Sequence, residues 1–148
     1  MNSKKHIKTL TAATLSTLAI AAASMATAHT PDSKMIAYND IQWQQLGNTP
    51  MQFAVMWGDR EHGANGTYLK LPAGFETGVH GHSHDYNGIT LQGTWEHKID
   101  GQWQRLPPGS YVSQVGGEFH NDRCTGKVDC VLLIQQDQHS DVLFPAAK

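Results

Sequence analysis

Beyond residue 40 the chain alternates short apolar or β-branched runs with turn residues. Residues 51–57 are rich in large apolar side chains, and a polar, Gly-containing loop follows from Gly58 to Gly66. Residues 67–71 form a strand candidate that Pro72-Ala73-Gly74 stops. Residues 89–92 and 94–99 give further strands, and Asp100-Gly101 is a strong two-residue hairpin signal before 102–106. Pro107-Pro108-Gly109 marks a turn, 111–115 another strand, 128–135 the last strong apolar strand and 142–144 a final short one. No segment sustains a 3.6-residue apolar period. Short strands at spacings of about 8–12 residues predict an all-β sandwich or barrel. The 14 glycines suit its many turns, and neither a solenoid repeat nor an internal linker divides the chain.

The first 28 residues carry a different pattern. Lys4, Lys5 and Lys8 form a positive start, residues 10–23 an uncharged apolar run, and Ala26-Thr27-Ala28 a small-x-small cleavage site. This is a secretory signal pattern, and the apolar run falls short of the roughly 20 residues of a membrane span. No Cys near the cleavage site supports a lipid anchor, so no stable membrane anchor is expected. Cleavage after Ala28 leaves 120 of the 148 residues, enough for one domain, and an exported, periplasmic or secreted protein. Residues 29–40 read as a polar, flexible lead-in and 41–148 as the folded domain.

Removing the three lysines leaves 8 basic residues against 13 acidic ones, a charge of −5 with histidine neutral. Without a basic run, nucleic acid and anionic membranes are excluded as partners. Cys124 and Cys130 meet an oxidising compartment, where a pair becomes a disulfide, here across a short hairpin with loop 125–129. Zinc ligation by the two is the rival reading and lacks a second cysteine pair.

Candidate chemistry concentrates in His80-Gly81-His82-Ser83-His84. In an extended strand, residues two apart share a face, so the run sets three imidazoles in a row. Imidazole is the commonest metal ligand, and a further histidine, His120, lies in a second Gly-rich, strand-like region. The segment Gly74-x5-His80-x-His82-x3-Tyr86-x6-Gly93 resembles the first cupin motif, with Tyr86 where that motif has Glu. Gly117-Glu118-Phe119-His120 matches the core of the second motif; its Pro and Asn positions are Val115 and Cys124. Trp57-Gly58-Asp59, Leu69-Lys70-Leu71-Pro72-Ala73-Gly74, Pro107-Pro108-Gly109-Ser110-Tyr111 and Gly117-Glu118-x-His120 are similar to segments of the small exported DUF4437, or ChrR-like, cupins.

The resemblance implies a double-stranded β-helix, a jelly-roll barrel, with one divalent metal ion in its mouth. It implies His80, His82 and His120 as ligands, with iron, manganese, nickel, copper and zinc all open. Tyr86 is expected to act through its hydroxyl near the metal, and Glu118, two residues before His120, to serve as ligand, base or acceptor, unless it is a polar turn residue. His84 either sits at the rim or pairs with His82 in a register that breaks the spacing to Gly93. His97 is expected at an exposed edge, and His62 and His139 in polar loops. His29, as a mature N-terminus, would need a second rigid histidine to chelate copper. The tryptophans 43, 57, 95 and 103 read as core or dimer interface. Two function classes follow: a metal enzyme with dioxygenase-like or Lewis-acid chemistry on a small molecule, and a non-enzymatic module of the sensor type that binds a metal or ligand. A barrel that keeps the motif without a metal is a third reading. A homodimer through sheet edges is implied by resemblance alone.

Overall fold

The computed structural model describes residues 33–146. Residues Ile36–Lys148 form one compact unit; of the separate unit Met1–Met35 only residues 33–35 are described. The signal segment and His29 therefore lie outside the described residues. Tyr38–Asp40 forms a 3-10 turn ahead of the strands.

Nine strands follow: β1 (Gln44–Gln45), β2 (Gln52–Gly58), β3 (Asn65–Leu71), β4 (Tyr86–Gln92), β5 (Thr94–Ile99), β6 (Gln102–Leu106), β7 (Tyr111–Gln114), β8 (Asn121–Thr125) and β9 (Cys130–Gln136). A six-stranded sheet runs β1-β2-β3-β9-β4-β7, and a three-stranded sheet runs β6-β5-β8. All pairings are antiparallel. This is the all-β architecture that the short strands and turns predict, in the jelly-roll form that the resemblance implies. The hairpin at Asp100-Gly101 forms as expected, with φ of 50° and 79°, the left-handed pair that a two-residue turn requires. The hydrophobic pattern announces neither the two-residue β1 nor β8, whose residues Asn121, Asp122 and Arg123 are polar, yet Asn121 and Asp122 are buried.

Register explains the interior. Phe53, Leu69, Leu132 and Thr90 lie directly opposite one another across β2, β3, β9 and β4, so they share the inner face. Leu71 and Leu132 from the larger sheet pack with Trp95, Leu106 and Cys124 from the smaller one. Trp95 is 1% exposed, and it closes on Gly88, where a Cβ would stand 3.1 Å from the indole. Trp43 and Trp103 lie outside this core and carry cations instead: Lys70 Nζ stands 3.8 Å from the Trp43 ring centre, and the Arg123 guanidinium 4.0 Å from that of Trp103.

One corner joins the sheets. At Gly93 (φ 77°) the chain leaves β4 in the larger sheet for β5 in the smaller, and a Cβ there would meet the Asp129 carbonyl at 2.7 Å. Beside it, Cys124 on β8 is bonded to Cys130 on β9, with Cα atoms 5.6 Å apart. The disulfide expected from sequence is present, but its strands belong to different sheets, so it fastens the two layers and does not bridge a hairpin. No helix among the described residues is long and apolar enough to cross a membrane.

Closing a loop this short contributes about 2 kcal/mol in the chain-entropy model. Denaturant unfolding with and without reductant should differ by about that amount. Coincident curves would show that the cross-link does not hold the layers.

Candidate metal centre

The histidine run is not a regular strand. Its first half lies extended beside the chain entering β8, through isolated pairings of Glu76 with Arg123 and of His80 with His120. His80 and His120 exchange both backbone hydrogen bonds, at 2.9 and 2.8 Å. Residues paired this way project their side chains from one face, and His82, two residues on, joins them. The ring centres of His80 and His120 are 4.4 Å apart, and that of His82 is 5.2 and 5.3 Å from them. One nitrogen from each of the three lies within 4.8 Å of the others.

Two rings are held in a defined tautomer. His80 Nδ1 donates to the Gly78 carbonyl at 2.9 Å, and His82 Nδ1 donates to the Asp141 carbonyl at 2.6 Å. A carbonyl only accepts, so each Nδ1 carries a proton, and in the neutral ring the lone pair is then on Nε2. His120 is 2% exposed, and burial, with the neighbouring imidazoles, outweighs Asp122 and lowers its pKa to about 4, so it is neutral at ordinary pH. Burial also lowers the pKa of His82. A set of neutral imidazoles with oriented lone pairs is what a divalent ion requires.

Sequence reasoning missed Asp122. It follows His120 by two residues on β8 and so shares its face. Its Oδ1 accepts from Trp95 Nε1 at 2.6 Å and His97 Nδ1 at 2.7 Å. Its Oδ2 stands 3.4 Å from His120 Nε2 and 3.7 Å from His80 Nε2. Those spacings are long for hydrogen bonds. They suit donors sharing one ion, since two ligands bound at about 2.1 Å on a tetrahedral centre stand about 3.4 Å apart. Burial raises the Asp122 pKa, but the hydrogen bond and charge of His97 and the other histidines override it and hold the carboxyl below its usual range.

His97 corrects an expectation: it is 5% exposed, not at an open edge. Residues two apart share a face, and its neighbour Trp95 is core. Its Nε2 meets Gln114 Oε1 at 2.9 Å, while the Gln114 amide nitrogen faces the Val115 carbonyl and Glu118 Oε2. That amide orientation leaves oxygen toward His97, so both ring nitrogens face acceptors. Burial lowers its pKa, but the Asp122 bond and charge together with Gln114 outweigh that and raise it. With acceptors at both nitrogens and a raised pKa, His97 is placed to pair with Asp122 as the imidazolium.

Tyr86, at the start of β4, faces the same cluster, with its hydroxyl 3.4 Å from His120 Nε2. Burial, then the Asp122 charge, pushes its pKa well up, so the phenol keeps its proton. Glu118 is exposed after the turn at Gly116-Gly117, and its carboxylate meets Gln114, not the three histidines. His84 turns away from the row and packs edge-on against His139, with ring centres 4.7 Å apart. His62 is exposed beside Asp59.

The cluster opens into a cavity of about 350 Å³ between the sheets. His80, His82, Tyr86 and Asp122 line one part, and Leu46, Met51, Leu69, Leu71, Leu132, Ile134, Val142 and Phe144 make most of the rest apolar. Such a chamber, apolar with a few convergent polar groups, is the ordinary form of a small-molecule site.

The double sheet with a histidine cluster inside its mouth defines a cupin barrel. The sequence profile of the domain of unknown function DUF4437 matches residues 29–142, and the chain belongs to that family. Solved structures agree on the fold. The polyketide cyclase RemF from Streptomyces resistomycificus is 14% identical, with a TM-score of 0.66 over 78% of this chain and 87% of that one. An RmlC-like cupin from Shewanella frigidimarina is 15% identical, with a TM-score of 0.59 over 72% and 91%. The Rhodobacter sphaeroides complex of SigE with the anti-sigma ChrR gives 24% identity and a TM-score of 0.57 over 68% of this chain and 52% of that one. No curated protein matches this chain.

In metal-free protein at pH 6, below the raised pKa, long-range nitrogen–proton NMR should show His97 with both nitrogens protonated. A neutral His97 would contradict the pairing. Because its folded pKa is raised above 6.5, the pair's stabilisation is full below about pH 6.5 and is lost as pH rises through the folded value.

Proposed function

We propose that this chain is a mononuclear metal cupin in which His80, His82 and His120 hold one divalent ion and Asp122 supplies the adjacent negative charge. The observation that carries this reading is the convergence of one nitrogen each from His80, His82 and His120 within 4.8 Å, with Nδ1 of His80 and His82 tied to carbonyls and the otherwise unbonded Asp122 Oδ2 beside His80 and His120. Imidazole donors suit iron, nickel, copper and zinc, and a carboxylate extends the set to manganese. When bound, such an ion supplies Lewis acidity, and a redox metal adds dioxygen chemistry.

The protein's own groups divide the remaining work. The apolar walls exclude water from a small organic ligand and so strengthen every polar contact inside. Tyr86, held protonated, donates a hydrogen bond to a ligand oxygen beside His120. The Trp95 and His97 contacts hold Asp122 in one orientation, as an outer shell does for a ligand. An enzyme of dioxygenase-like or Lewis-acid type acting on that ligand is the reading we favour. Export to an oxidising compartment accords with the disulfide.

Protein purified without a polyhistidine tag should carry close to one metal ion per chain by mass spectrometry, and the triple variant His80→Ala, His82→Ala, His120→Ala should carry essentially none. Metal retained by that variant would remove the site. Asp122→Asn should weaken metal binding by about 10–100-fold. Iron with ligand-dependent oxygen uptake selects the dioxygenase-like reading; zinc that supports no turnover selects a non-enzymatic binding module.

A further inference from the structure

Away from the histidines, the cavity wall carries a second polar feature. Arg60 lines the chamber and, among the described residues, is the only lysine or arginine that does. Its guanidinium carbon stands 5.1 Å from the ring centre of Phe53. Phe53 lies opposite Leu69 in the register, on the inner face of the sheet, so the cation reaches inward. Among the described residues no carboxylate pairs with Arg60. The two acids that line the cavity are engaged elsewhere: Asp122 with Trp95 and His97, and Asp141 with the Ser83 amide and hydroxyl. Partial burial pulls the Arg60 pKa down, as expected for a cation deprived of water without a compensating anion.

Beside it lies an orphan. The Ser140 amide donates to the Arg60 carbonyl at 2.8 Å, which fixes the two residues side by side. Ser140 also lines the cavity, and its buried Oγ has no hydrogen-bond partner among the described residues. Thr67 and Gln136 on the same lining do have partners, in Asn65 and the Gln138 carbonyl. Buried polar groups are nearly always satisfied, so an unpartnered hydroxyl on the residue beside an unpaired arginine needs an explanation.

We propose that Arg60 and Ser140 form an anion subsite, and that the ligand of this chamber is a small organic carboxylate with an apolar body. The guanidinium fork matches a carboxylate in two hydrogen bonds, and the serine hydroxyl adds a third. Apolar walls between this subsite and the histidines take the rest of the molecule. The chain is net negative, at −2 with histidine neutral, so its overall field disfavours anions and local pairing must supply the attraction. The proposal rests on reading this cavity as the ligand chamber, and its anion contact is independent of the metal.

Phenylacetate and its uncharged isostere phenylacetamide are the probes, titrated by NMR into wild-type protein, Arg60→Gln, Ser140→Ala and the triple histidine variant. Wild type should prefer phenylacetate at least about 5-fold, a difference that one charge-assisted contact supplies. Arg60→Gln should abolish the preference, Ser140→Ala should reduce it, and the triple histidine variant should keep it. The Arg60 side-chain NH signals of wild-type protein should move with phenylacetate and not with the amide, a readout that does not depend on any variant folding. Equal affinities, no binding of either probe, unmoved Arg60 signals, or a preference that survives Arg60→Gln would overturn the proposal. So would a preference lost only in the triple histidine variant, since the carboxylate would then sit at the metal. Loss of metal binding with the Arg60-dependent preference intact would instead sink the metal reading alone.

Discussion

The reciprocal backbone pairing of His80 with His120 is the contact on which the centre depends. These residues are 40 positions apart, and neither lies inside a named strand. Two hydrogen bonds at 2.9 and 2.8 Å hold them opposite each other, and that alone aligns their imidazoles. The pairing is extended in both directions, by the Thr77 amide on the Asp122 carbonyl and by Gly81 exchanging both bonds with Leu143. Gly81 fits there because a Cβ would stand 3.0 Å from the Glu118 carbonyl. The C-terminal segment therefore closes over the run and brings the Asp141 carbonyl to His82. Backbone geometry orients the His80 and His120 imidazoles, and the same C-terminal segment places Ser140 against Arg60.

A second layer of polar contacts makes the arrangement tolerable inside a barrel. An isolated buried carboxylate is costly, and Asp122 is stabilised by a buried imidazolium and an indole N–H on one oxygen. The imidazolium is satisfied in turn through Gln114, whose amide reaches the exposed Glu118. The chain of contacts from surface to centre leaves a single Asp122 oxygen free of hydrogen bonds among the described residues, and that oxygen points toward His80 and His120.

Much of this was legible in the sequence, for identifiable reasons. Short apolar runs bounded by turn residues outlined seven of the nine strands, all but β1 and β8, and the motif spacing singled out the histidines that come together. β8 was not legible from hydrophobicity because its buried residues are polar and find partners in Glu76, Trp95 and His97, far away in the chain. Asp122 was within reach of the alternation rule, which applies two residues after His120 as well as two before. Glu118 fails that rule because residues 118 and 119 are irregular chain after the turn at Gly116-Gly117, and extended pairing starts only at His120. His97 misled because a lone polar residue on a strand reads as exposed until its counter-charge, 25 residues on, is known.

The exchange of Glu for Tyr in the first motif takes on a specific physical meaning. A glutamate at residue 86 would bring a second carboxylate to a pocket that already holds Asp122, and two buried like charges repel strongly in low dielectric. A protonated phenol avoids that repulsion and offers a donor where the carboxylate would only accept. The negative charge has moved from the strand at residue 86 to β8 behind His120, where His97 compensates it. That relocation leaves the Tyr86 side of the chamber neutral, so the apolar body of a ligand can approach the centre from the cavity without meeting a carboxylate at residue 86.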